Sequence, residues 1–142
     1  MSTIKIIYWS GTYNTKTMAE LIREGVRQAG SEADLIKVAD ASREDALDSD
    51  ILLLGCPAMG DEVVQQSEME PFIASIEGDI KGKKLALFGS YGWGDGKWMR
   101  DWEERMKGRG AELVSDSLIV EYAPSDDSEK ACIDLGKKLG SL

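Results

Sequence analysis

Three short, almost continuously apolar runs constrain the fold most: IKIIYW (Ile4–Trp9), ILLLGC (Ile51–Cys56) and KLALFGS (Lys84–Ser90). A strand with one wet face alternates apolar and polar residues; a strand covered on both faces does not. These three therefore read as interior strands. Ala33–Val38 is a weaker strand, and Leu113–Tyr122 a long final one with a break expected at Asp116. Helical patterns fill the gaps at Thr15–Ala29, Glu68–Ile76, Asp95–Lys107 and from a Ser125 cap to Leu139. In the first, Met18, Leu21, Ile22 and Val26 share a face, and Gly30 closes the helix. Strands alternating with helices predict an α/β fold, a parallel sheet covered on both faces. Right-handed crossovers restrict it to a few doubly wound sheets. A chain of 142 residues without repeat or linker is expected to form one domain, 1–142.

Ligands of such sheets sit at the carboxyl ends of the strands, at the switch point. The turns after Trp9, Cys56, Ser90 and Tyr122 are therefore the places to look. The first, Ser10-Gly11-Thr12-Tyr13-Asn14-Thr15, runs straight into a helix. A helix start offers unpaired N–H groups and the positive end of its dipole. The hydroxyls and the amide add donors, and Lys16 lies just beyond. This is a phosphate cradle of neutral donors, matching neither G-x-x-x-x-G-K-[ST] nor G-x-G-x-x-G. The bland alternative is a well-capped turn. The next two turns are PAMGDE (57–62) and SYGWGDG (90–96). Tyr91 and Trp93 among glycines call for something flat to cover, with Met59 as a lid from the other side; the alternative puts Trp93 in a small satellite core. Trp98 and Trp102, four apart on a helix, read as packing. One ligand with a phosphate at one end and a planar ring at the other would satisfy all three turns.

The formal net charge is −9, with no histidine. That charge disfavours nucleic acid and anionic membrane surfaces and suits a basic partner. The absence of histidine removes the commonest general base, so a bound cofactor is expected to carry any chemistry. Cys56 and Cys132 offer neither metal spacing nor a disulfide framework, and Cys56 reads as core. No apolar run nears the roughly 20 residues of a membrane span, and no signal peptide is visible. The expectation is a cytoplasmic monomer without a metal.

Together YWSGTYNT, LGCPAMGDEV, LFGSYGWGDGKWMRDWEERM and LIVEY resemble short-chain flavodoxins of anaerobic bacteria, over essentially the whole chain. The resemblance implies a flavodoxin-like three-layer sandwich, a five-stranded parallel sheet of order 2-1-3-4-5. It also implies noncovalent FMN and a low-potential single-electron carrier able to replace ferredoxin, without a substrate of its own. Partners would be reductases, hydrogenase-like or ferredoxin-dependent enzymes with basic docking faces. Carried across by motif, Ser10, Gly11, Thr12, Tyr13, Asn14 and Thr15 would hold the phosphate. Met59 and Trp93 would clamp the ring, with Ala58, Gly60, Asp61, Gly92 and Gly94 along its edges. Glu62 would accept from ring N3–H, and Ser90 and Tyr91 would approach the ribityl side. Gly60, free in either backbone orientation, is expected to turn its carbonyl toward N5–H. Tyr122 is a weaker match. The family's first turn has glycine where this chain has Tyr13. Either Tyr13 bears a positive φ at about 1–2 kcal/mol, or the position does not need one; its ring could also shield the phosphate. Two rivals stand beside this reading: a small FMN-dependent reductase, and a phospho-acceptor domain, which would need an Asp where Cys56 stands.

Overall fold

The structure, a computed structural model, describes residues 3–11, 13–60 and 62–142. Its elements are β1 (Ile4–Tyr8), α1 (Asn14–Gln28), β2 (Ala33–Lys37), α2 (Arg43–Leu47), β3 (Ile51–Gly55), α3 (Met69–Ile76), β4 (Lys84–Tyr91), α4 (Lys97–Gly108), β5 (Glu112–Leu113), β6 (Leu118–Glu121) and α5 (Asp126–Gly140). The strands form one parallel sheet in the order β2-β1-β3-β4-β5, with β6 also on β4. The expected final strand is thus two pieces on one edge. Glu112 and Leu113 pair with Lys84 and Leu85; Leu118–Glu121 pair with Phe88–Tyr91. The unpaired interval holds Asp116, where the break was expected. The short α2 was not foreseen, although Ser42 and Asp45 form a reciprocal capping box: Asp45 N–H donates to Ser42 Oγ (3.1 Å) and Ser42 N–H to Asp45 Oδ2 (2.8 Å).

The continuous apolar strands are explained by period two with two covered faces. Ile7, Leu52, Leu54, Leu85 and Leu87 pack under α3 and α4 with Phe72, Trp98, Trp102 and Met106. Ile4, Ile6, Ile51, Leu53, Ala86 and Phe88 pack under α1 and α5 with Met18, Ile22, Val26, Cys132 and Leu139. Trp98 and Trp102 are core residues, as read, and so is Cys56. Burial pushes both cysteine thiols up to about 12, which keeps them protonated and inert.

Arg105 on α4 ties α3 to the loop after it. Its guanidinium donates to Glu70 (2.8 Å) and to both oxygens of Glu77 (3.1 and 2.8 Å), and Arg109 adds a further bond to Glu77. The Arg105 hydrogen bonds hold the Glu77 carboxyl below its ordinary 4.5. A depressed folded value gives stability that is present above 4.5 and lost as pH falls through the folded value. Glu77→Gln is therefore expected to cost about 1 kcal/mol at pH 7. In urea titrations that deficit should close progressively below pH 4.5.

Candidate functional site

Four strands end at one cavity of about 340 Å³, lined by Trp9, Gly11, Asn14, Pro57, Ala58, Met59, Ser90, Tyr91, Gly92 and Tyr122. These residues end β4 or follow β1, β3, β4 and β6, and they span the switch point, because β1 lies between β2 and β3. The size falls in the usual range for small-molecule pockets. The turns are cross-tied. Ala58 N–H donates to the Ser90 carbonyl (3.0 Å), Tyr122 N–H to the Tyr91 carbonyl (2.8 Å), and Trp9 N–H to the Gly55 carbonyl (3.0 Å). The buried hydroxyls of Thr15 and Ser90 meet at 2.9 Å, joining the start of α1 to the end of β4.

The first turn suits an anion. Ser10 Oγ accepts from Lys16 N–H at 3.2 Å, which folds the turn over the helix start. The first turns of α2, α3 and α5 carry acidic residues; that of α1, entered directly from the first turn, carries none. Its dipole end is thus left uncompensated beside the cavity. Tyr13 has φ 5°, so it does not adopt the left-handed conformation that its replacement of glycine made an option. Its ring is 77% exposed and lines another groove with Lys16, whose ammonium is 5.5 Å from the ring centroid. The side chain therefore does not cover the cavity. Thr12, also expected here, lies outside the described residues.

The second turn is a narrow loop closed by Met59 N–H to Val63 carbonyl (2.9 Å) and Val63 N–H to Met59 carbonyl (3.0 Å). Met59 is half-buried at the cavity. Gly60 (φ 50°) is exposed, and a Cβ added there would meet nothing. Asp61 lies outside the described residues. Glu62 turns away from the cavity: its Oε1 accepts from Asp95 N–H at 3.2 Å and presses on Gly94 (φ 85°), where a Cβ would collide with the carboxyl. Glu62 (φ 58°) and Tyr122 (φ 59°) are the non-glycine residues in the left-handed region among those described, one at each side of the site. Such backbone strain gathers at ligand clamps.

The third turn divides its aromatics. Tyr91 packs its ring on Trp98 (centroids 5.6 Å apart, 47° between planes), so it joins the core and offers its backbone to the cavity. Trp93 is 62% exposed at the rim, which removes the satellite-core alternative. Neither Trp93, Glu62 nor Gly94 lines the cavity itself. Asp95, just before α4, is paired with Arg100 (2.9 Å), and that guanidinium holds its carboxyl below the usual range. Pro57 and Trp9 line the cavity although neither was singled out as a ligand contact. Their adjacency to Ala58 and Ser10 was the available signal.

A second groove, about 330 Å³, lies on the β2 side of the first turn. It is lined by Tyr8, Trp9, Ser10, Tyr13, Lys16, Lys37 and Glu68 among others. Trp9 and Gly11 border both spaces. Among the described residues no cluster of three or more His, Cys, Asp or Glu side chains could hold a metal ion. No helix there is long and apolar enough to cross a membrane.

A family model described as Flavodoxin matches residues 6–136. The flavodoxin of Clostridium beijerinckii is 55% identical over 98% of this chain and all of its own length. That of Megasphaera elsdenii is 40% identical over 94% of this chain and 96% of its own. The solution structure of two-electron reduced M. elsdenii flavodoxin superposes with a TM-score of 0.89 at 39% identity, covering 99% of this chain and all of that one.

Proposed function

The chain belongs to the flavodoxin family, and from that premise we propose that the strand-end cavity seats its FMN, phosphate against the first turn and ring toward Met59 and Trp93. As a flavodoxin the protein is an FMN-binding electron carrier, and its family typically stands in for ferredoxin. The observation that carries the placement is the cavity at the β1/β3 switch point, with an acid-free helix start at one end. The residues fit the group. The cradle is made of neutral donors on a positive dipole end, suited to a phosphate dianion without a fixed counter-cation. Gly92 leaves the wall open, since a Cβ there would already touch Tyr122 at 3.4 Å.

When bound, FMN supplies a ring that takes and gives electrons one at a time. The chain's own work is to hold and shield it. Ser10, Gly11, Thr12, Asn14 and Thr15 grip the phosphate, with Tyr13 contributing backbone. Ala58, Ser90 and Tyr91 line the ribityl path. Met59 and Trp93 exclude water from the ring faces. Gly60, Asp61, Gly92 and Gly94 border its edges; Glu62, whose Oε1 accepts from Asp95 N–H, would turn back toward the cavity to accept from ring N3–H. The Gly60 carbonyl would accept a hydrogen bond from ring N5–H. Val at φ 50° would be strained by about 1–2 kcal/mol. If that strain falls on the arrangement that accepts from N5–H, Gly60→Val should narrow the gap between the two one-electron potentials, each couple moving by roughly 59 mV per 1.4 kcal/mol. An unchanged gap in a potentiometric titration would remove Gly60 from this role.

The acidic chain, −9 overall, is unfavourable for adding negative charge to the ring, which makes the second potential low. Asp95 contributes less to this than its position implies, because Arg100 is paired with it. We read the protein as a cytoplasmic, monomeric, one-domain carrier with no substrate of its own. It meets redox enzymes through basic faces docking on the rim around Glu62 and Trp93. The test replaces ferredoxin by the FMN-loaded protein in an assay of a ferredoxin-dependent oxidoreductase. Turnover that falls as salt rises is expected. No turnover, or steady NAD(P)H oxidation by the protein alone, would favour a reductase instead.

A further inference from the structure

Trp9 leaves β1 immediately before the first turn, and three contacts fix it. Its N–H donates to the Gly55 carbonyl at 3.0 Å. Its indole Nε1–H donates to Glu68 Oε1, also at 3.0 Å, across 59 positions of sequence. Its six-membered ring lies against Gly11, where a Cβ would come within 2.8 Å of Cη2 and 3.1 Å of Cζ3. The turn's backbone thus rests on the indole. Glu68 is itself anchored: Gln65 Oε1 accepts from the N–H groups of Glu68 (2.8 Å) and Met69 (2.9 Å), capping α3. Gln65 is buried, so this anchor is rigid.

We propose that Glu68 is a positioning residue for the phosphate: by holding the Trp9 indole beneath Gly11 it preforms the phosphate turn before FMN arrives. This rests on the site reading above. Preforming a turn removes an ordering cost that binding would otherwise bear. The saving falls on the phosphate end alone, so it appears as discrimination between FMN and riboflavin, which lacks the phosphate. The Glu68 carboxylate has a second, opposite effect, because its charge repels a phosphate nearby. Glutamine keeps an acceptor oxygen and loses the charge, and leucine loses both, so the two effects separate.

The experiment measures dissociation constants of FMN and riboflavin for the apo-protein, in wild type, Glu68→Gln, Glu68→Leu and Trp9→Phe, at one ionic strength. Thermal unfolding of each variant checks folding. Glu68→Leu and Trp9→Phe should each weaken FMN about tenfold, the scale of one hydrogen bond to a charged group, with riboflavin affinity changed less than twofold. Glu68→Gln should bind FMN at least as tightly as wild type. Wild-type FMN affinity in Glu68→Leu, equal losses for both flavins, or a Glu68→Gln loss as large as that of leucine would each overturn the proposal. If Glu68→Leu does not fold, Trp9→Phe and Glu68→Gln decide by the same criteria. A wild-type protein that binds neither flavin would instead overturn the site reading itself.

Discussion

Trp93→Ala is expected to weaken FMN binding by about two orders of magnitude while leaving the folded protein as stable as before. Trp93 is 62% exposed, so the protein alone gains little from it. Covering one indole face with a flat ring removes on the order of 100 Å² from water, about 2.5 kcal/mol. Offset stacking adds about 0.5–1.5 kcal/mol. Some 3 kcal/mol corresponds to about a hundredfold. Riboflavin should lose as much as FMN, because the contact is with the ring; this separates Trp93 from Glu68, whose effect follows the phosphate. The second one-electron potential should also rise, since water regains access to the reduced ring. Fluorescence titration with both flavins measures the first effect and potentiometry the second. An affinity within threefold of wild type would put Trp93 outside the site.

Gly89→Val is expected to be the most damaging single change beneath the site. Gly89 lies in β4, paired with Ile119 of β6 on one side and facing the Cys56 carbonyl on the other. A Cβ there would collide with that backbone oxygen and crowd the Trp98 ring at 3.1 Å. A backbone neighbour cannot rotate away, so β3 and β4 must part at their carboxyl ends. Overpacking of this kind costs roughly 3 kcal/mol or more, and at this chain length about 10 °C in Tm. The same displacement stretches the 3.0 Å bond from Ala58 N–H to the Ser90 carbonyl, so flavin affinity should fall with stability. Calorimetry with and without FMN checks both. A variant melting within 2 °C of wild type would show that the strands can relax around the added carbon.

Much of the scaffold was legible because burial on two faces leaves a continuous apolar imprint, seen in Ile4–Trp9, Ile51–Cys56 and Lys84–Ser90. The cavity's position then followed from topology. What stayed hidden depended on contacts between distant residues. Nothing in SYGWGDG separates Tyr91 from Trp93, yet one packs on Trp98 and the other stays at the rim. Glu62 was expected to face a ring N3–H, but its carboxylate accepts from Asp95 N–H in the third turn, and Asp95 in turn pairs with Arg100 of α4. Tyr13 was read through the glycine it replaces; its backbone avoids the left-handed region and its ring turns to the other groove. The short α2 carried its capping box in plain view and was missed because its five residues show too little periodicity.

The most direct check is nuclear magnetic resonance of the protein loaded with FMN, reading through-space contacts from the flavin to assigned protons. Cross-peaks from the ring to the Met59 methyl and the Trp93 indole are expected, together with phosphorus couplings to backbone amides of the Ser10–Thr15 turn. A bound flavin whose ring contacts the Lys16 and Lys37 groove instead, or whose phosphate leaves those amides unperturbed, would contradict the placement.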